Sequence, residues 1–215
     1  MAVWGLLLPL VAVGLEPTLT PLPTDNLEQE YVVDGITTAA YRLSSADQPY
    51  TLILSRTGNY AIGDGDERSA RLYATLFADT ADGHQQRWVI QDRVDACPFD
   101  ITAQFTQKPA VVSDADADGV PEFWVSYRLS CRSDVSPSTL KLIGYEAGQK
   151  YALRGTSRLQ LGDSSEGGEF EADAAIVIFP EADVSFPAFH PEASNALLKT
   201  LEEPKSKLTF ILLAE

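Results

Sequence analysis

In Asp114-Ala-Asp-Ala-Asp-Gly-Val-Pro-Glu122-Phe-Trp-Val-Ser-Tyr-Arg-Leu129 a tight acidic turn runs straight into a strand pattern. Glycine, proline and clustered aspartates mark the turn. The aromatic and β-branched run that follows is short and alternates, as a half-buried strand does. A chain that repeats this unit is an antiparallel β protein.

The unit does repeat. Ile36–Tyr41, Tyr50–Ser55, Leu72–Phe77, Arg87–Asp92, Leu140–Tyr145 and Tyr151–Arg154 have the same strand character. Asp47-Gln-Pro49, Thr57-Gly-Asn59, Gly63-Asp-Gly-Asp66, Ala81-Asp-Gly83 and Glu146-Ala-Gly-Gln-Lys150 separate them as turns. No helical period competes until late in the chain. Gly162 to Gly168 is a flexible polar stretch, and after it the character changes. Ala175–Phe179 and Leu208–Leu213 are continuous apolar runs of the fully buried kind. Between them Pro191–Glu203 has apolar residues at helical spacing, stopped by Pro204. The expectation is mainly β: an antiparallel sheet or meander followed by a short strand–helix–strand segment.

The N-terminus has another composition. Residues 2–15 are uncharged and apolar. They are too short for a membrane helix, which needs about 20 residues, and fit the apolar core of a secretory signal. Ala12-Val13-Gly14 supplies the small-x-small pattern of a cleavage site, although no Lys or Arg precedes the run. The division expected is a signal peptide over 1–15, a linker over 16–30, a β domain over 31–173 and a separate segment over 175–215. A net charge of -15 repels phosphate backbones, so direct nucleic-acid binding is not expected.

The acidic turn carries the sharpest chemistry. Alternate carboxylates on a tight loop suit a hard cation, and calcium takes six to eight oxygens. Asp114, Asp116 and Asp118 would give side-chain oxygens, Val120 its carbonyl, and Glu122 a direct or water-bridged ligand. Val125 stands where an EF-hand has its bidentate Glu, so the loop is closer to the cation loops that join strands in extracellular proteins. The alternative is an acidic turn without metal. Cys97 and Cys131 are the chain's two cysteines. In an exported chain they would form a disulfide, and in a cytosolic one they would be two buried thiols. Neither sits in a C-x-x-C pair. His84 and His190 are the histidines, and no nucleophile elbow, phosphate loop or paired-histidine metal motif accompanies them. No catalytic residue is expected.

Two resemblances are carried by different parts of the chain. Asp114 to Trp124, Tyr127–Pro137, Lys141–Glu146 and Lys150–Gly155 resemble a bacterial envelope family loosely labelled surface-polysaccharide biosynthesis proteins, over about residues 85–173. That resemblance implies a secreted or periplasmic β domain and no reaction. Ile176–Asp183, Pro191–Pro204 with its Asn195-Ala-Leu-Leu-Lys-Thr-Leu-Glu-Glu-Pro204 string, and Leu208–Leu213 are similar to bacterial DNA polymerase III clamp-loader subunits. This second resemblance, to the delta-prime and gamma/tau kinds, implies part of an AAA-type sheet. Pro180 stands before Glu181 where a magnesium-binding Asp would be, and no Walker A motif precedes it, which implies no ATP hydrolysis.

Together these give a chimeric reading, an envelope β domain joined near residue 174 to a clamp-loader fragment. The function expected is that of an exported, periplasmic or extracellular, non-enzymatic binding or structural protein with a calcium-stabilised loop. The alternative is a cytoplasmic, delta-prime-like accessory protein acting through clamp-loader subunits.

Overall fold

The computed structural model describes residues 17–44, 48–61, 65–114 and 118–172. The apolar run of residues 2–15 and the strand–helix–strand segment of 175–215 lie outside these, as do Asp116 and His190. The chain order is β1 (Leu19–Leu22), a single helical turn α1 (Leu27–Glu30), β2 (Ile36–Leu43), β3 (Tyr50–Arg56), β4 (Tyr60–Ala61), β5 (Arg68–Thr80) and β6 (Gly83–Cys97). There follow β7 (Asp100–Ser113), β8 (Glu122–Arg132), β9 (Thr139–Glu146), β10 (Gln149–Thr156), β11 (Leu159–Leu161), β12 (Ser164–Glu166) and β13 (Phe170–Ala172). The mainly β, antiparallel expectation holds.

Each long strand pairs with its neighbour in sequence. The first sheet runs β1-β2-β3-β5, with β4 and β6 also on β5, and the second runs β13-β10-β9-β8-β7. They pack face to face. Leu52 and Leu54 of β3 and Leu72, Ala74 and Leu76 of β5 meet Phe123, Val125, Tyr127 and Leu129 of β8 and Ile143 of β9 in one buried cluster. The alternation that marks these runs as strands also sorts their faces, because successive side chains point to opposite sides.

Residues 16–30, expected as a linker, do more than connect. Leu19–Leu22 pairs with Leu43–Ala40 of β2 as an edge strand. Pro21 lacks an N–H, and an edge tolerates that. Leu19 packs on the main core, while Leu22 and Leu27 pack on a second cluster of Tyr31, Ala40, Ile53 and Phe77. Prolines in the sequence signal irregularity, but contact with exposed sheet surface decides the outcome.

Other departures have similar causes. β7 is absent from the sequence-level strands because Lys108-Pro109 interrupts it. The structure absorbs the interruption as a bulge: pairing jumps from Phe105–Tyr127 to Ala110–Val125. The inward face accordingly changes from Ala103 and Phe105 to Ala110 and Val112. The polar stretch after residue 161 closes the β11–β12 hairpin, with Leu161 opposite Ser164. The β9–β10 hairpin turns in two residues, Ala147 at φ 46° and Gly148 at φ 86°. That is the type I′ sense, whose twist matches the flanking strands. On the outer face of the second sheet the Trp124 ring lies against Gly144, where a Cβ would come within 2.5 Å of a ring carbon.

Candidate functional site

Three ties join the sheets along β6, each of a different chemistry. At its C-terminal end Cys97 and Cys131 of β8 are bonded, with Cα atoms 5.7 Å apart and a sequence separation of 34. Cys97 owes its inward position to a bulge. Val94 pairs with Ala70 and Cys97 with Arg68, so β6 carries one extra residue, and Ala96 takes φ 48°. Strict alternation from Ile90 and Val94 would bring residue 96 to the core. The bulge brings the sulfur there instead, which is how bulges re-aim side chains.

Midway along β6, Asp92 accepts a hydrogen bond from the Tyr127 hydroxyl at 2.8 Å and pairs with the Lys141 ammonium at 2.6 Å. Both partners belong to the second sheet. Burial, then the adjacent Asp92 carboxylate, pushes the Tyr127 phenol far above its ordinary range.

Toward the other end lies a half-open cleft of about 350 Å3. Tyr50, Trp88, Phe123 and Tyr145 line it, one ring each from β3, β6, β8 and β9. Phe123 is the floor, only 3% exposed. The Tyr50 and Trp88 rings stand at 68° and 67° to it, at centroid distances of 5.4 and 6.3 Å. Trp88 also stacks on Tyr145 at 4.8 Å and 13°. Burial raises the Tyr145 phenol above its usual range. Arg87, Val120, Pro121 and the Ala147–Gly148 turn complete the rim.

Val120 and Pro121 bring the acidic loop to this cleft. The loop joins β7 to β8, with Ser113 paired to Glu122 at its mouth. The Asp114 carboxylate takes the Gly119 amide at 3.2 Å, and Asp118 takes the Val120 amide at 2.7 Å. Gly119 sits at φ 85°, a conformation that favours glycine. Glu122 is buried and accepts from the Ser113 hydroxyl at 2.6 Å. Asp114, Asp118, Val120 and Glu122 thus share one loop, while Asp116 lies outside the described residues.

A further polar cluster sits on the outer side of the first sheet. Asp79 accepts from Thr51 at 2.6 Å and from the buried Tyr31 hydroxyl at 3.1 Å. It also meets the His84 Nδ1 at 2.8 Å and the Arg42 guanidinium at 3.4 Å. The Tyr31 ring lies 4.1 Å from that of His84. Among the described residues the His84 Nδ1 has Asp79 as its hydrogen-bond partner. This cluster holds Tyr31, and with it the N-terminal segment, on the sheet.

Of the cleft residues the sequence marks only Val120, as a carbonyl ligand of the acidic loop; Arg87 and the four rings are not marked as a site. Their signal was present only as aromatics on successive strands, which reads equally as core. No helix among the described residues is long and apolar enough to cross a membrane.

The model of a family described as DNA polymerase III, delta subunit, matches residues 157–215. This supports the clamp-loader resemblance and moves its start from about 175 into the body of the β domain. Within the matched range β11 and β12 form their hairpin, and β13 pairs through Phe170–Ala172 with Gly155–Leu153 of β10, which precedes that range. No curated protein and no solved structure matches the chain. The resemblance of residues 85–173 to an envelope family has no counterpart in these comparisons.

Proposed function

We propose that the body of this chain is an exported, non-enzymatic β sandwich that binds or supports a partner in the cell envelope or outside the cell. The observation that carries the reading is the Cys97–Cys131 bond between the sheets. Disulfides persist in oxidising compartments and are rare in reducing ones. The apolar run of residues 2–15 fits export. Thiol titration without reductant, on protein taken from fractionated cells, tests this. The expected result is no free thiol and recovery outside the cytoplasm. Two titratable thiols in cytoplasmic protein overturn it.

The same reading includes a calcium ion held by the loop of Asp114, Asp116, Asp118, Val120 and Glu122. It is supported by the alternate carboxylates of one short loop, whose Asp114 and Asp118 accept from the loop's own amides, although among the described residues no three acidic, His or Cys side chains are gathered as a metal group. A ligand that binds only the folded state raises the melting midpoint by mass action. Millimolar calcium should therefore raise the midpoint of the full chain and leave that of an Asp114→Asn, Asp118→Asn variant in place. An unchanged midpoint in the parent removes the metal.

The family match over residues 157–215 favours a second reading, a clamp-loader accessory protein without ATPase activity. Co-purification of the full chain with DNA polymerase III clamp-loader subunits tests it, and their failure to associate at micromolar concentration rejects it.

A further inference from the structure

The aromatic cleft deepens the binding reading above and rests on it. We propose that it takes a small ring compound bearing an anionic group, carboxylate or phosphate, with the ring between Tyr50 and Trp88 and the charge on Arg87. The volume of about 350 Å3 lies at the small end of ligand pockets, about 300–1,000 Å3, and suits one or two rings. Tyr50 and Trp88 both meet the Phe123 floor at steep angles, so the cleft offers more than one ring surface to a flat ligand.

The charge comes from a bulge. Leu76 pairs with Trp88 and Phe77 with Gln86, which leaves Arg87 without a partner on β5. Bulges recur beside binding sites because they re-aim one side chain, and here the residue re-aimed lines the cleft. Arg87 is exposed and has no ion-pair partner among the described residues. It is also the one charged residue among the described residues that line the cleft. Lys150 adds a second cation at the edge, its Nζ 6.0 Å from the Tyr145 centroid. A cationic ligand would meet Arg87 with no carboxylate to pair it among the described lining residues. An anionic ring finds a guanidinium suited to carboxylate or phosphate in a chain whose net charge is otherwise -15.

Titration of the intact, oxidised chain, followed at the Trp88 indole N–H resonance, tests the proposal. The Trp88→Phe variant assigns that resonance. Glucuronate and benzoate serve as anionic probes, glucose and benzylamine as neutral and cationic controls. Saturable shifts with glucuronate identify a sugar acid, and shifts with benzoate an aromatic acid; either supports the site. Arg87→Gln should weaken the binding probe about tenfold and leave the rest of the spectrum unchanged. The proposal fails if neither anion saturates by about 20 mM, if benzylamine binds as tightly, or if Arg87→Gln has no effect. Free thiols in the native compartment would sink export and leave this titration intact, so the two failures are distinguishable.

Discussion

The two ends of the β6–β8 pair hold the sheets together by opposite means. Phe123 and Cys131 lie near opposite ends of β8, about 26 Å apart for extended chain. At the Cys131 end a covalent bond fixes the separation. At the Phe123 end aromatic rings set the separation, and their bulk and tilt leave about 350 Å3 open between them. Between the ends the Asp92–Tyr127–Lys141 tie combines charge with hydrogen bonding. A sandwich fastened rigidly at one end and in its middle can carry an open aromatic mouth at the other.

The comparison breaks first at the cleft floor. Phe123→Ala removes a buried ring that touches both walls, and truncations of this kind cost about 3–5 kcal/mol. Urea unfolding should show that loss. A cost below about 1 kcal/mol would mean that the rings do not hold the sheets at this end.

The opposite end is next. Replacing both Cys97 and Cys131 by Ala frees the unfolded chain of a long closed loop, worth about 3–4 kcal/mol by the chain-entropy account. Equilibrium unfolding of the variant against the oxidised parent measures it. If the variant also loses the cleft, seen as a changed Trp88 fluorescence maximum, the two ends are coupled rather than independent.

The smallest effect concerns the middle tie and sharpens the comparison through pH. Tyr127→Phe leaves Asp92 with Lys141 but removes a hydrogen bond to a charged acceptor, a loss of about 1.5–3 kcal/mol at neutral pH. The Tyr127 phenol is raised in the folded protein, so the folded state keeps a proton that the unfolded chain loses near pH 10. Its contribution is complete below pH about 10 and fades as pH rises further. Unfolding curves from pH 8 to 11 should fall at the alkaline end in the parent and fall less in Tyr127→Phe. Equal slopes would show that Tyr127 ionises as freely in the fold as out of it.

Much of the sandwich was legible in the strands themselves. Glu122–Leu129 puts Phe123, Val125, Tyr127 and Leu129 on one face, and that face meets the core, but the strand runs on to Arg132 and Glu122, Trp124 and Ser126 on the other face are buried as well. The β9–β10 turn was legible too, because Ala147-Gly148 sits between two such runs. Leu19–Leu22 and β7 were not. Proline dominates their local signal, while an edge position or a bulge, which exist only once a neighbouring strand is present, decides their state. The cleft was hidden for the same reason. A tryptophan on β6 and a tyrosine on β9 are core-like in isolation and become a wall only when stacked at 4.8 Å.

By its own order of residues the chain determined the antiparallel β class, the turns and the acidic loop, because period-two alternation and turn-forming residues act over a few neighbours. Tertiary structure alone decided that Cys97 meets Cys131, that Asp92 reaches across to Tyr127, and that Arg87 turns into an aromatic cleft. Each depends on a bulge or on a facing sheet. Those are long-range packing outcomes, since a single extra residue in a strand reverses which side chains meet the core.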